Sequence, residues 1–161
     1  MSPIRIGHGF DAHRLVAGRA LRLGGIEVPH ARGLEGHSDG DCVLHAVCDA
    51  LLGAAGEGDM GRRFPSRDPR WHGVESSLFL EEVRRLVDAA GYAVVNLDVT
   101  IVAQEPVMAP HLEPMRAAIA GTLGVDRGRV SVKAKSTDHL GALGRGEGIA
   151  ALATVLLEKG T

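Results

Sequence analysis

Histidine and aspartate side chains are concentrated in two short stretches near the beginning of the sequence. The first is GHGFDAH, residues 7 to 13, and the second is GHSDGDCVLHA, residues 36 to 46. Together they hold half of the chain's eight histidines. Imidazole and carboxylate groups are common zinc ligands, so the two stretches predict a metal centre.

The spacing within these stretches selects three candidate ligands. Asp11 and His13 are two residues apart, so on a continuous β-strand both side chains point to one face and His8 points to the other. His45 comes from a predicted helix. One carboxylate and two imidazoles would leave the fourth position of a tetrahedral zinc ion open, as in catalytic sites. His8, on the other face, is expected to be a packed strand histidine.

The helix that carries His45 offers further polar groups. Asp41 and Asp49 lie four residues to either side of it, where they are expected to orient the imidazole, although solvated helix charges are an equally good interpretation. Ser38, followed three residues later by Asp41, predicts a capped helix that begins near Asp39. The free N–H groups of such a helix end favour an anion, so zinc and helix together would bind a phosphate.

Composition limits the classes of protein that the chain can belong to. Its 161 residues, 45% of them hydrophobic, predict one domain spanning residues 1–161. Only 3% of the residues are aromatic and the net charge is -2, which argues against a nucleic-acid-binding surface. The sequence has no apolar run of membrane-spanning length and no targeting segment, so we expect a cytoplasmic protein without a membrane partner.

Hydrophobic patterning predicts an α+β fold with a mixed four-stranded sheet, a small hairpin, and helices layered on one face. The strands are expected at residues 4–10, 92–103, 129–135 and 148–157, the hairpin in ALRLGGIEVP, and the helices at 39–52, 75–91 and 110–123. A long loop is expected from Gly53 to Gly73. The last strand is apolar on both faces, so a neighbouring subunit is expected to cover one of them in a homo-oligomer.

Several motifs, in this order along nearly the whole chain, carry a family resemblance: RIGHGFDAH, GHSDGD, GDMGRRFP, NLDVTIVAQEP, VKAKST and GRGEGIA. The chain resembles the 2-C-methyl-D-erythritol 2,4-cyclodiphosphate synthases, lyases of non-mevalonate isoprenoid biosynthesis. The resemblance implies cyclisation of 4-diphosphocytidyl-2-C-methyl-D-erythritol 2-phosphate with release of CMP. It also implies a homotrimer with its sheets packed together and active sites between subunits. Each active site would hold one Zn²⁺ and a second divalent cation, Mg²⁺ or Mn²⁺.

The resemblance also implies roles for individual residues. The zinc ligands are again Asp11, His13 and His45, and Asp138 would hold the second cation. His37 and Ser136 would stabilise the transition state. The remaining implied substrate contacts are Ser38, Asp59, Gly61, Phe64, Ser66, Asp68, Ala103, Pro106, Met108, Ala109, Lys135, Thr137, Ala142 and Arg145.

Three of these positions need further comment. Asp138 and Ser136 stand where relatives usually have Glu and Thr. Arg145 matches a residue that lines the central channel of the trimer in relatives, where an anionic ligand would fit. An ion pair with Glu147 is an equally good interpretation of Arg145.

Two other functions fit part of the pattern. A zinc phosphohydrolase would share the metal and phosphate features but would need an activated water, and it would release a linear monophosphate. A non-catalytic trimer with a structural zinc would need a fourth protein ligand. The remaining histidines offer no convincing fourth ligand, which favours the enzyme.

Overall fold

The computed structural model describes residues 3–160, which form a mixed sheet, a separate hairpin and a layer of helices. The strands are β1 (Ile4–Ala17), β2 (Leu21–Leu23), β3 (Ile26–Val28), β4 (Arg32–Leu34), β5 (Tyr92–Val102), β6 (Val130–Lys135) and β7 (Gly148–Lys159). The helices are α1 (Cys42–Ala55), α2 (Met60–Arg63), α3 (Ser76–Ala89), α4 (Leu112–Leu123) and α5 (Gly141–Gly144).

The main sheet has five strands in the order β4-β1-β7-β5-β6, and β2 and β3 form the hairpin. The β5–β6 pair is parallel and the other pairs are antiparallel, so the predicted mixed sheet and hairpin are confirmed. The strand added to the expected four is β4, which lies between the predicted hairpin and the first predicted helix, where no strand was expected. It is a three-residue edge strand, too short to produce a recognisable alternation of polar and apolar residues.

The helices cover one face of the sheet. Along β7, Ile149, Ala151 and Val155 are buried on the helix side, whereas Thr154 is exposed on the other side. On the uncovered face Phe10 lies opposite Leu152 and is 59% exposed. The helices therefore explain why one face of β7 is apolar. The expected cover by a second subunit stays a prediction for the other side.

Several element boundaries differ from the predicted ones. Helix α1 begins at Cys42 because Asp41, not Ser38, is its N-cap, and it continues to Ala55. The expected long loop contains α2 and a 3-10 turn, Pro69–Trp71. Within residues 3–160, no helix combines the length and hydrophobicity needed to cross a membrane.

Candidate metal centre and substrate cleft

Strand β1 and helix α1 lie in direct backbone contact, and this contact positions the candidate metal ligands. A Cβ atom added at Gly7 would lie 1.8 Å from the Ala50 carbonyl oxygen, and one at Gly9 would lie 1.9 Å from the Ala46 carbonyl oxygen. Only glycine allows this approach. Side chains alternate between the two faces of β1, so residues 7, 9, 11 and 13 share one face. Asp11 and His13 therefore also face the helix, next to His45.

Asp11, His13 and His45 form one cluster of potential metal ligands. Asp11 Oδ2 lies 2.7 Å from His13 Nε2 and 2.9 Å from His45 Nδ1, and these two nitrogens are 3.3 Å apart. Nitrogens bound at about 2.0–2.1 Å to a tetrahedral zinc ion are separated by roughly 3.3–3.4 Å. The donor set and the spacing of the two nitrogens therefore fit a divalent metal, whereas Asp11 Oδ2 lies at hydrogen-bond distance from both nitrogens. The role of the three residues as ligands stays a prediction.

Charge interactions within the cluster favour an anionic Asp11. Burial by itself would raise the pKa of Asp11, but hydrogen bonds from His13 and His45 outweigh burial and hold the pKa well below its usual range. The hydrogen bond with Asp11 raises the pKa of His13 from 6.5, and burial offsets part of this increase. The site therefore keeps a carboxylate ready to bind a cation, and a cation would displace the proton of His13.

The second nitrogen of each imidazole is also hydrogen-bonded. His13 Nδ1 lies 2.5 Å from the Glu35 carbonyl oxygen, which accepts only, so Nδ1 carries the proton and the neutral ring presents an unprotonated Nε2 to the cluster. His45 Nε2 lies 2.9 Å from Ser76 Oγ and 3.2 Å from Ser38 Oγ. Both rings are therefore held with one nitrogen directed at the centre of the cluster.

The prediction that Asp41 and Asp49 orient the His45 imidazole is wrong. The fully buried Asp41 carboxylate accepts hydrogen bonds from the backbone N–H groups of Gly24, Gly25 and Leu44, so it ties the hairpin to the start of α1. The Asp49 carboxylate accepts the N–H of Met60 and fixes the start of α2. Ser76, which contacts His45 instead, lies 31 residues away in sequence and was missed because local spacing contains no information about it.

A cleft of about 560 Å³ opens beside the cluster. Three of the chain's five aromatic residues form one wall of it: the ring centroid of Phe64 lies 5.1 Å from that of Trp71 and 4.8 Å from that of Phe79. The wall and the cluster meet at His45, whose ring centroid is 6.1 Å from that of Phe79. The cleft therefore combines a cluster of potential metal ligands with an apolar aromatic surface, a common arrangement in small-molecule sites.

Seven of the predicted substrate or catalytic residues lie in or next to this cleft. Five line it: His37, Ser38, Gly61, Phe64 and Ser66. Two act at its edge as caps of short helical turns: Asp59 Oδ1 accepts the N–H of Arg62, and Asp68 Oδ1 accepts the N–H of Arg70. Asp68 also forms an ion pair with Arg70, which lowers the pKa of Asp68.

The other predicted residues form a second group at the carboxyl ends of the parallel strands β5 and β6. Ala103 donates its N–H to the Lys135 carbonyl oxygen, which joins the two strand ends. This group consists of Ala103, Pro106, Met108, Ala109, Lys135, Ser136, Thr137, Asp138, Ala142 and Arg145. Across residues 3–160, none of them lines the cleft beside the metal cluster, so one chain does not bring His37 and Ser136 together there.

The loop that carries Asp138 has an unusual backbone conformation. Asp138 and His139 have φ angles of 52° and 64°, in the left-handed region that side chains disfavour. His139 N–H donates to Gln104 Oε1, and Asp138 N–H donates to Ser136 Oγ. Strained, exposed backbone of this kind is concentrated at ligand sites. Arg145 forms the ion pair with Glu147 that the sequence allowed as its alternative role.

Comparison with known proteins identifies the family. The model of the YgbB family matches residues 4–158. The chain belongs to the YgbB family. Two similar relatives are 2-C-methyl-D-erythritol 2,4-cyclodiphosphate synthases. The one from Syntrophotalea carbinolica is 54% identical over 156 residues, which cover 97% of this chain and 95% of the relative. The one from Moorella thermoacetica is 56% identical over 154 residues, covering 96% and 94%.

A solved structure supports the same assignment. The CDP complex of IspF from Plasmodium falciparum superimposes with a TM-score of 0.88 at 31% identity, covering 100% of this chain and 99% of that one. The family resemblance and the α+β fold expected from the sequence are therefore confirmed for this YgbB-family chain.

Proposed function

We propose that this chain is a lyase that converts 4-diphosphocytidyl-2-C-methyl-D-erythritol 2-phosphate into 2-C-methyl-D-erythritol 2,4-cyclodiphosphate and CMP. The observation that carries the proposal is the Asp11, His13 and His45 cluster at the mouth of a cleft, in a chain more than half identical to synthases of that name. The CDP bound to the Plasmodium falciparum structure supports a cytidine-diphosphate-linked substrate. The cytoplasm, where such a soluble precursor would be made, stays our predicted location.

The donor set of the cluster favours zinc as the divalent metal. Two imidazole nitrogens and one carboxylate oxygen match catalytic zinc sites, which leave the remaining position for substrate. When bound, zinc would supply Lewis-acid polarisation of a phosphoryl oxygen. The chain's own contribution is to hold three donors in place: Asp11 and His13 from β1, and His45 from α1.

The chemistry does not require a protein nucleophile. An oxygen of the 2-phosphate, already anionic at neutral pH, attacks the β-phosphorus, and the bond between that phosphorus and the oxygen bridging to the α-phosphate breaks as CMP leaves. The main requirements are positioning and charge stabilisation. We assign positioning of the sugar to the aromatic wall and the Phe64 to Asp68 loop. Hydrogen-bond donation to the phosphates is assigned to His37, Ser38 and Ser136.

Assembly would complete the site. In one chain the cleft contains His37, whereas Ser136 and the predicted substrate contacts between Ala103 and Ala109 lie at the ends of β5 and β6. A second copy packed against the uncovered sheet face would supply these residues to its neighbour's cleft. The apolar side chains on that face, with Ile6 71% exposed, support such packing. We therefore propose a homotrimer of single-domain subunits, residues 1–161, with active sites between subunits.

We assign the second divalent cation, Mg²⁺ or Mn²⁺, to Asp138. Its carboxylate has no hydrogen bond or ion pair with any residue in the described range 3–160, and it is exposed on a loop held in a strained conformation. A hard cation prefers such a carboxylate together with substrate phosphate oxygens. Lys135, just before the loop at the end of β6, would add positive charge near the diphosphate.

Product analysis tests the proposal. Purified protein, reconstituted with Zn²⁺ and Mg²⁺, is incubated with the proposed substrate and followed by ³¹P NMR. We expect a cyclic diphosphate and CMP in equal amounts. A linear 2,4-bisphosphate together with CMP would instead identify a phosphohydrolase and refute the cyclase proposal.

A matched pair of variants tests the metal ligands. His45→Ala should lose both bound zinc and turnover, because one of three donors is removed. His8→Ala should keep its zinc, because the His8 ring lies on the other face of β1 against Thr154. Zinc content is measured by elemental analysis of dialysed protein. Stoichiometric zinc in a folded His45→Ala variant would contradict the assignment.

A further inference from the structure

A chain of hydrogen bonds leads from the metal cluster to a carboxylate that no prediction assigned. His45 Nε2 lies 2.9 Å from Ser76 Oγ, and Ser76 Oγ lies 2.5 Å from Asp39 Oδ1. The other carboxylate oxygen, Oδ2, accepts the backbone N–H of Ser76 at 3.0 Å. Ser76 is fully buried, so bulk water does not compete for its hydroxyl group.

The protons available to these groups determine which atom donates in each hydrogen bond. The Ser76 hydroxyl has one hydrogen, and the Asp39 carboxylate can only accept, so the hydrogen of Ser76 is directed at Asp39. Ser76 Oγ can then interact with His45 Nε2 only by accepting a proton from it. With the Nε2 proton directed at Ser76 Oγ, the nitrogen left for a metal is Nδ1, which faces Asp11 and His13 and whose hydrogen bond to Asp11 a bound metal would replace.

We propose that Ser76 and Asp39 are positioning residues that hold the His45 ring in the tautomer and orientation required for metal binding through Nδ1. Imidazole ligands commonly donate their second N–H to an acceptor that raises their basicity and fixes the ring. The inference rests on the proposed metal site and deepens it. It adds a carboxylate and a hydroxyl, from the loop before α1 and the start of α3, to the three ligand residues.

The same contacts make Asp39 the N-terminal cap of α3. The residue at the N-cap position, Glu75, makes no capping hydrogen bond, and Asp39 supplies a carboxylate to the first N–H of the helix from a distant part of the chain. The two roles can be separated. Removing only the Ser76 hydroxyl breaks the link to His45 but leaves the bond between the Ser76 N–H and Asp39.

Four residues at position 76 provide the test: wild-type Ser, Ser76→Thr, Ser76→Ala and Ser76→Val. Thr and Val have the same shape and differ in the hydroxyl group, so size and hydrogen bonding vary independently. Zn²⁺ affinity is measured by competition with a chelating dye. We expect Ser and Thr to bind alike, and Ala and Val to bind about 10- to 100-fold more weakly.

A second measurement detects the proton itself. In the Zn²⁺-loaded, ¹⁵N-labelled wild-type protein, the Nε2–H resonance of His45 should be visible and protected from exchange with water. It should exchange rapidly in the Ala and Val variants. Thermal unfolding of the metal-free variants shows whether each is folded, and the Thr/Val pair keeps the comparison valid if the shape at position 76 alters stability.

The outcomes separate this inference from the function on which it rests. Affinity that follows the hydroxyl group supports the positioning role. Equal affinity in all four proteins, or affinity that follows side-chain size, would overturn it and leave the metal site intact. A wild-type protein that binds no Zn²⁺ would overturn both the metal site and the inference.

Discussion

Replacing Gly9 with alanine should disrupt the metal site by moving a helix. The new Cβ would lie 1.9 Å from the Ala46 carbonyl oxygen, whereas ordinary contacts begin near 3.4 Å, so α1 must move away from β1 by about 1.5 Å. His45 precedes Ala46 and would move with it, away from Asp11 and His13. Metal sites tolerate about 0.2 Å in ligand distance. We therefore expect Zn²⁺ affinity to fall more than about 100-fold.

The assay for Gly9→Ala is chelator competition for Zn²⁺, with thermal unfolding of the metal-free protein alongside it. Overpacking of this kind costs about 1–3 kcal/mol of stability. Gly53→Ala is the matched control: Gly53 lies in the same helix, and a Cβ there meets nothing within 4 Å. This variant should gain about 0.5–1 kcal/mol and bind Zn²⁺ normally. A folded Gly9→Ala protein with wild-type Zn²⁺ affinity would refute the reasoning that glycine contacts set the ligand spacing.

Three further predictions concern the second cation, assembly and pH. Asp138→Asn should raise the Mg²⁺ or Mn²⁺ concentration needed for turnover while zinc content stays constant, and Asp138→Glu should remain active; wild-type cation dependence in the Asn variant would leave Asp138 as a turn residue. Phe10→Asp should leave the subunit folded but abolish the trimer in analytical ultracentrifugation, because Phe10 is 59% exposed on the uncovered sheet face; a variant that still sediments as a trimer would place the interface elsewhere. Metal-free protein should lose stability as pH rises, because the hydrogen bond with Asp11 raises the pKa of His13 in the folded state. The stability that protonated His13 contributes is complete below its unfolded-state pKa of 6.5, and it is lost as the pH rises through the raised pKa of the folded state. Zinc should reverse this trend in thermal unfolding between about pH 5 and 8, because it binds the neutral ring, and an unchanged slope would contradict the assignment of His13.

Local patterns were sufficient to place most elements and the three metal-cluster residues. The two-residue spacing of Asp11 and His13 determined their shared face because side chains alternate along any strand. This prediction required only that β1 continue past Phe10, and it extends to Ala17. The same alternation places His8 correctly on the opposite, uncovered face, because it lies an odd number of residues from Asp11.

The parts of the site that could not be predicted depend on distant residues. Asp39 and Ser76 are 37 residues apart, and nothing in either segment indicates that they meet. The start of α1 was misplaced for a related reason. Gly40 has a φ of 76°, which a helix cannot contain, and Asp41 is buried against the hairpin and caps the helix from there. The tertiary position of the hairpin, not the local motif, determines which residue is the cap.

The central position of β7 has a consequence for how the chain folds during synthesis. β7 is the last strand in chain order and the third across the five-stranded sheet, where it pairs with both β1 and β5. Until β7 leaves the ribosome, each of these long strands lacks a hydrogen-bonding partner on one edge. Pairing β1 with β7 also closes a loop of well over a hundred residues, which is a slow, non-local step. We therefore expect nascent chains to expose β1 to aggregation and to chaperones until synthesis of β7 is finished.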